Sequence, residues 1–325
     1  MNQRPELYAV ASRYGLDAAA TRRLFELAGL DAEPAGVARW LPRGLAALAA
    51  ALVGLGLILW VAANWDALGR VGQFALLQGF VLAACLGALT VPGARPALAL
   101  LALIAIGGLL AYFGQTYQTG ADPWQLFAWW GLLAVPLALA VRSDQMWTPW
   151  ALVVMTAIAL WAQAHASSSW TVRPDDLAVY AGAWAAAALV VGWLSPTLRY
   201  LTGAGIWAMR TAATLAVALV TLSALGGLFS HDAGLHYWLG LLVLAGAALI
   251  LAHPKAFEIG TLSALVLGLD VLLVTGLGRW MLHDFLREEQ LIGLLLVLGL
   301  TAAALVAGSV TALLRLARHH ARGKS

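Results

Sequence analysis

The chain alternates long apolar runs with short polar breaks. Ten runs reach the length of a membrane-crossing helix, about 20 residues with 17–25 tolerated. They are Leu45–Ala63, Val71–Val91, Ala97–Phe113, Pro123–Val141, Met146–Ala164, Leu177–Leu194, Thr211–Phe229, His236–Ala252, Phe257–Gly276 and Gln290–Leu314. Turn formers fill the gaps: Pro92-Gly93, Pro96, Pro174-Asp175-Asp176, Ser195-Pro196 and His253-Pro254. The pattern predicts an all-α fold, a polytopic transmembrane helical bundle of about ten spans behind a short N-terminal helical region. It divides the chain into a cytoplasmic amphipathic region (1–43), a five-span half (44–165), a second five-span half (166–315) and a basic cytoplasmic tail (316–325). Small residues such as Ala181-Gly182-Ala183, Gly226-Gly227 and Ala302-Ala303-Ala304 predict close helix packing.

Residues 5–41 have helical rather than spanning character. Leu7, Val10, Ala11 and Tyr14 recur at helical spacing, and Gly15 suits a left-handed helix end. Asp17 suits the cap of a second helix with Ala20, Leu24, Leu27 and Ala28 on its apolar face, closed by Gly29. A third short helix carries Val37, Trp40 and Leu41 to the bilayer. Arg13, Arg22, Arg23, Arg39 and Arg43 make the region basic. It reads as a solvated cap beside anionic headgroups or, alternatively, as a docking site for a cytoplasmic protein partner.

Composition changes this picture only by removing the soluble alternative. Hydrophobic residues make up 62% and charged residues 11% of the chain, with a mean hydropathy of +0.83. A soluble domain carries about 25% charged residues, so the outer surface of this chain must face lipid. The net charge of +3 gives no reason to expect a nucleic-acid partner. The single cysteine, Cys85, excludes an internal disulfide and a cysteine-based metal site.

Charge placement predicts orientation. With a cytoplasmic N-terminus, fifteen Lys and Arg fall inside: Arg4, Arg13, Arg22, Arg23, Arg39, Arg43, Arg95, Arg142, Arg199, Arg210, Lys255, Arg315, Arg318, Arg322 and Lys324. Four fall outside: Arg70, Arg173, Arg279 and Arg287. The expectation is a bacterial inner (cytoplasmic) membrane protein with both termini cytoplasmic. Trp40, Trp147, Trp150, Trp193 and Trp207 then mark the inner interface, and Trp65, Trp124, Trp170, Trp238 and Trp280 the outer one. Trp129 and Trp130 lie inside the fourth span and fit neither belt.

One polar island interrupts the apolar pattern, from Gly114 to Phe127. Three outward signals are expected to converge there. Asn64-Trp65-Asp66 ends the first span, Gln115, Tyr117, Gln118, Asp122 and Trp124 join the third and fourth, and Asp270 lies two-thirds of the way out in the ninth. Each has a plainer reading. Asn64 suits a helix C-cap. Asp122-Pro123-Trp124-Gln125 suits an N-cap, a first-turn proline and a capping-box glutamine. Gln115, Tyr117 and Gln118 are left as helix-packing groups or as the lining of a pocket for a hydroxyl-rich or headgroup-like ligand. Asp270 is costly within a span, as a structural acid or a functional one. No catalytic constellation, phosphate loop or metal-ligand spacing is present, so no catalytic residue, metal or cofactor is assigned.

The residues Asn64-Trp65-Asp66 and Gly114-Gln115-x-Tyr117-Gln118-x-Gly120-x-Asp122-Pro123-x-Gln125-Leu126-Phe127-x-x-Trp130 resemble a bacterial family of predicted membrane proteins, domain of unknown function 2157, over roughly residues 7–165. The resemblance implies the membrane topology and the place of interest, but no reaction. The leading expectation is a non-enzymatic protein that binds or moves an amphipathic or hydroxyl-bearing envelope molecule, a lipid or small molecule, through an outward-facing pocket. The rival is a membrane scaffold whose polar stretch meets a membrane protein partner. A membrane-embedded transferase is the weakest reading.

Overall fold

The computed structural model describes residues 4–28, 35–117, 120–167, 172–230, 234–253, 257–285 and 291–322. Thirteen α-helices and no strand occur among them. Two short helices, α1 (Arg4–Arg13) and α2 (Ala18–Leu27), come first. Gly15 takes φ +61° after α1, a conformation that costs glycine nothing. Asp17 Oδ1 accepts the Ala20 N–H at 2.7 Å, and Tyr8 meets Phe25 edge-on. The expected helix end and cap are thus present; Gly29 lies outside the described residues.

Among the described residues, ten helices are long and apolar enough to cross a membrane. They belong to α3 (Ala35–Ala63), α4 (Trp65–Thr90), α5 (Arg95–Tyr117), α6 (Pro123–Val141), α7 (Asp144–His165), α8 (Leu177–Trp193), α10 (Ile206–Phe229), α11 (Gly234–Ala252), α12 (Ile259–Phe285) and α13 (Leu291–Arg322), with a one-turn α9 (Arg199–Thr202) before α10. Three boundaries correct the sequence reading. The expected short helix at 37–41 is the start of α3. The signature residues Gly114–Tyr117 form the last turn of α5 rather than a loop. The basic tail is helical to Arg322. Hydropathy stops where polar side chains begin, but backbone hydrogen bonding carries a helix beyond the apolar run.

The helices pack in an order close to that of the chain. α7 touches α5, α6, α8 and α10, and α10 continues to α11 and α12. α3 and α4 attach through α5, and α13 packs on α12. In the fifth span 44% of the apolar window is buried, against 11% in the first and none in the last. The centre is therefore α7–α10, with α3 and α13 at the rims.

Small residues and indoles hold that centre. Ala134, Ala138, Ala151, Ala208 and Ala212 let α6, α7 and α10 approach closely, as expected where apolar burial alone gives no preference over lipid. A Cβ on Gly107 would overlap the Trp130 indole. Trp130 Nε1 donates to the Leu103 carbonyl at 2.8 Å, Trp150 Nε1 to Gly131 at 2.9 Å and Trp147 Nε1 to Thr202 at 2.8 Å. Carbonyls have two lone pairs, so a helical carbonyl accepts such a bond without losing its own. Trp147 and Trp150 are buried; they are core staples and not the interfacial belt expected of them. Trp40, Trp207, Trp238 and Trp280 are exposed, as a belt requires. The Ala302-Ala303-Ala304 run on the rim helix is not buried.

Successive spans return across the bundle and leave two faces. One carries the starts of α3, α7, α10 and α12. The other carries Asn64, the α5–α6 connection, the α7–α8 connection and the end of α12.

Candidate functional site

The α5–α6 connection builds the site. Asp122 is extended (φ −61°, ψ 146°) and Pro123 opens α6. Gln125 N–H donates to the Asp122 carbonyl at 3.0 Å. The helix therefore starts where the sequence predicts, but the Asp122 side chain makes no cap hydrogen bond. Its exposed carboxylate keeps its accepting capacity.

That carboxylate lies on a groove of about 670 Å³. Leu110, Phe113, Leu126 and Trp129 form its apolar wall, while Gln115, Asp122 and Gln125 supply polar groups at one end. Trp129 is 58% exposed, so the groove opens on the flank of the bundle. The arrangement can take an elongated molecule with one apolar part and one hydrogen-bonding end. Sequence reasoning treated Gln125 as a capping residue and Trp129 as unexplained. Their spacing of four on one helix was the signal that they share a face.

The other expected site residues are dispersed. Tyr117 stacks with Phe113 (4.8 Å) and Phe74 (5.9 Å), beside the buried Tyr112–Gln73 hydrogen bond of 2.6 Å. Trp124 lines a separate hollow against Trp150, Trp161 and Gly182 and meets the His165 ring at 5.8 Å. Trp124 Nε1 and Thr116 Oγ1 are buried without a hydrogen-bond partner among the described residues. Asn64 Nδ2 donates to the Trp60 carbonyl at 2.9 Å, the expected helix-end role. Gln118 and the side chains of Trp65 and Asp66 lie outside the described residues.

Asp270 does not join this group. It sits at the midpoint of the span Ile259–Met281, not two-thirds of the way out, because α12 extends past the apolar run. Its helix packs on α10, α11 and α13. Ser309 Oγ on α13 lies 2.8 Å from Asp270 Oδ1 and 2.9 Å from the Leu305 carbonyl. The expected outward convergence is thus reduced to Gln115 and Asp122.

The opposite face carries two carboxylates that the sequence reading passed over. Asp144, in the first turn of α7, accepts the N–H groups of Gly205 (2.8 Å), Trp207 (3.2 Å) and Ala208 (3.1 Å). It caps the start of α10 from a neighbouring helix. Glu258 accepts from Arg210 Nη2 (2.6 Å), Thr261 N–H (2.6 Å), Thr261 Oγ1 (2.7 Å) and Gly260 N–H (3.1 Å). Burial alone would raise the Glu258 pKa, but these hydrogen bonds outweigh it and bring the carboxyl down to about 2. Both residues stand at span ends among basic loops, which was the available signal.

Ten apolar helices with indole staples and capped span ends define a polytopic integral membrane protein. Residues 11–147, the part from α1 to the start of α7, match the model of a family described as predicted membrane protein (DUF2157). The match bears out the resemblance over that part of the chain and takes in the whole α5–α6 groove. Glu258 and Asp270 lie beyond it. No curated protein and no solved structure matches the chain.

Proposed function

We propose that this membrane protein binds an amphipathic envelope molecule in the α5–α6 groove, with the polar, hydroxyl-bearing end at Gln115, Asp122 and Gln125. One observation carries the reading. Asp122 stands at a helix start where it could cap, yet its carboxylate faces a groove that offers Gln115 and Gln125 as well. Carboxylate and amide oxygens accept from hydroxyls and amide N–H groups donate to them. Leu110, Phe113, Leu126 and Trp129 would hold the apolar part. The groove is confined to two adjacent helices and their connection, which favours binding over passage through the bundle. Fifteen Lys and Arg on the terminus-bearing side against four on the other support an inner-membrane orientation with cytoplasmic termini and an outward groove.

The test is mass spectrometry of the molecules that co-purify with the protein in mild detergent. Replacing Gln115, Asp122 and Gln125 together by alanine should deplete a hydroxyl-bearing amphiphile while the protein stays folded. An unchanged set of bound molecules would sink the reading. A stoichiometric protein partner lost from the same variant would favour the scaffold instead. Orientation is checked by reporter fusions after Gly120 and after Ser325; a cytoplasmic signal at Gly120 reverses it.

A further inference from the structure

A second groove, on the same face but built by α10, α11 and α12, has the opposite electrostatic character. It encloses about 580 Å³. Leu241, Leu273 and Leu277 give it an aliphatic wall, Trp238 and Trp280 line it too, and Arg279 reaches it from the last turns of the ninth span. The Arg279 guanidinium lies 5.8 Å from the Phe229 ring centroid, a contact that leaves its full charge. No carboxylate pairs with it among the described residues, where the ion pair found is Arg210–Glu258.

The hydroxyls of this groove are already committed. Tyr237 Oη donates to the Leu272 carbonyl at 2.9 Å, and Ser230 Oγ donates to the Val172 carbonyl at 2.5 Å. Arg279 is the charged group among the groove's lining residues and so the one to recognise an ionic ligand. A guanidinium at the end of a membrane span, in one groove with aliphatic side chains and two indoles, matches one chemistry. A phospholipid places a phosphodiester at the depth of the interfacial aromatics and its acyl chains below, and guanidinium is suited to bidentate phosphate contacts.

We propose that this groove is a site for an anionic phospholipid, with the headgroup phosphate on Arg279 and an acyl chain along Leu241, Leu273 and Leu277. The site is independent of the α5–α6 groove. There the charged group is a carboxylate, which repels an anionic headgroup; here it is a cation. The two grooves select different molecules at one face of the membrane.

The experiment uses the full-length protein in mixed micelles with phosphatidylglycerol or phosphatidylcholine, read by native mass spectrometry. The wild type should retain phosphatidylglycerol in preference to phosphatidylcholine. Arg279→Gln should lower that retention roughly tenfold, the scale of one lost charge-assisted contact, and Arg279→Lys should restore part of it. Leu273→Trp should lower it by filling the trough without changing charge. Thermal unfolding of each variant separates a lost site from a lost fold. Because the Gln115/Asp122/Gln125 variant keeps the Arg279 groove, it should retain phosphatidylglycerol, so failure of one site is distinguishable from failure of the other. Equal retention by wild type and Arg279→Gln, with both folded, overturns the proposal. Displacement of the lipid by millimolar inorganic phosphate also overturns it, because the trough would then contribute nothing.

Discussion

Two helix starts on opposite faces of this bundle carry an aspartate, and they use it in opposite ways. At the start of α7, Asp144 accepts three backbone N–H groups of the neighbouring α10. At the start of α6, Asp122 accepts none from its own helix and stays exposed. The two residues look alike in the sequence, each at a span end ahead of a proline, Pro123 directly after Asp122 and Pro149 in the second turn after Asp144. The difference lies in what each carboxylate has left to offer. Asp144 is consumed by the fold, whereas Asp122 retains its accepting capacity beside Gln115 and Gln125. Polarity near a span end therefore does not mark a site by itself. Unspent hydrogen-bonding capacity beside a groove is what sets Asp122 apart from Asp144.

That comparison breaks first, and most visibly, at Asp144. Asp144→Ala should orphan three N–H groups in a lipid-surrounded bundle and lower stability by roughly 2–3 kcal/mol, a lost cap plus hydrogen bonds to a charged acceptor. Thermal unfolding in detergent measures it. A loss below about 0.5 kcal/mol, the size of an ordinary surface substitution, would erase the contrast. The next effect is conditional on pH. Glu258 has a folded pKa of about 2 against an ordinary 4.5. A depressed carboxylate contributes stability that is fully present above its unfolded pKa and lost as pH falls through the folded one. The wild type should therefore weaken between about pH 4.5 and pH 2 more steeply than Glu258→Gln. Parallel pH curves for the two proteins would show that the Arg210–Glu258 pair contributes nothing. Smaller again is the rim contact. Ser309→Ala removes one hydrogen bond between α12 and α13, worth about 0.6 kcal/mol on average within a membrane. A loss several times larger would mean that this bond alone seats α13.

The architecture was legible because lipid leaves the chain few options. Ten apolar runs became ten helices, and Pro123, Gly15 and Asp17 marked helix ends where they were expected. The tertiary assignments were less legible. Trp147 and Trp150 sit where an interfacial belt would, and only packing against α10 and α6 reveals them as core staples. Asp270 sits on α12, packed among α10, α11 and α13 and away from α5 and α6, a fact of helix order in space that hydropathy does not encode. Asp144 acts across helices, so no local motif announces it, while Glu258 caps its own helix through Gly260 and Thr261 and reaches α10 only through Arg210. Within the polar island, the residues that the sequence groups together go to different places. Gln115 and Asp122 line the groove, Tyr117 joins an aromatic stack, and Trp124 turns to the other side of α6.

The smallest expected effect is the most informative about Asp122. An aspartate that caps its helix through its side chain costs about 1 kcal/mol when replaced by alanine. Here the α6 start rests on Pro123 and on the backbone bond from Gln125 N–H to the Asp122 carbonyl, neither of which needs the carboxylate. Asp122→Ala should therefore change stability by less than about 0.5 kcal/mol, as at an ordinary exposed position. Gln115→Ala, on the exposed last turn of α5, should do the same. A cap-sized loss at Asp122 would place its carboxylate with that of Asp144, spent on the helix, and would leave the groove with amides alone. A neutral change, together with loss of the bound amphiphile, would assign the same carboxylate to the ligand.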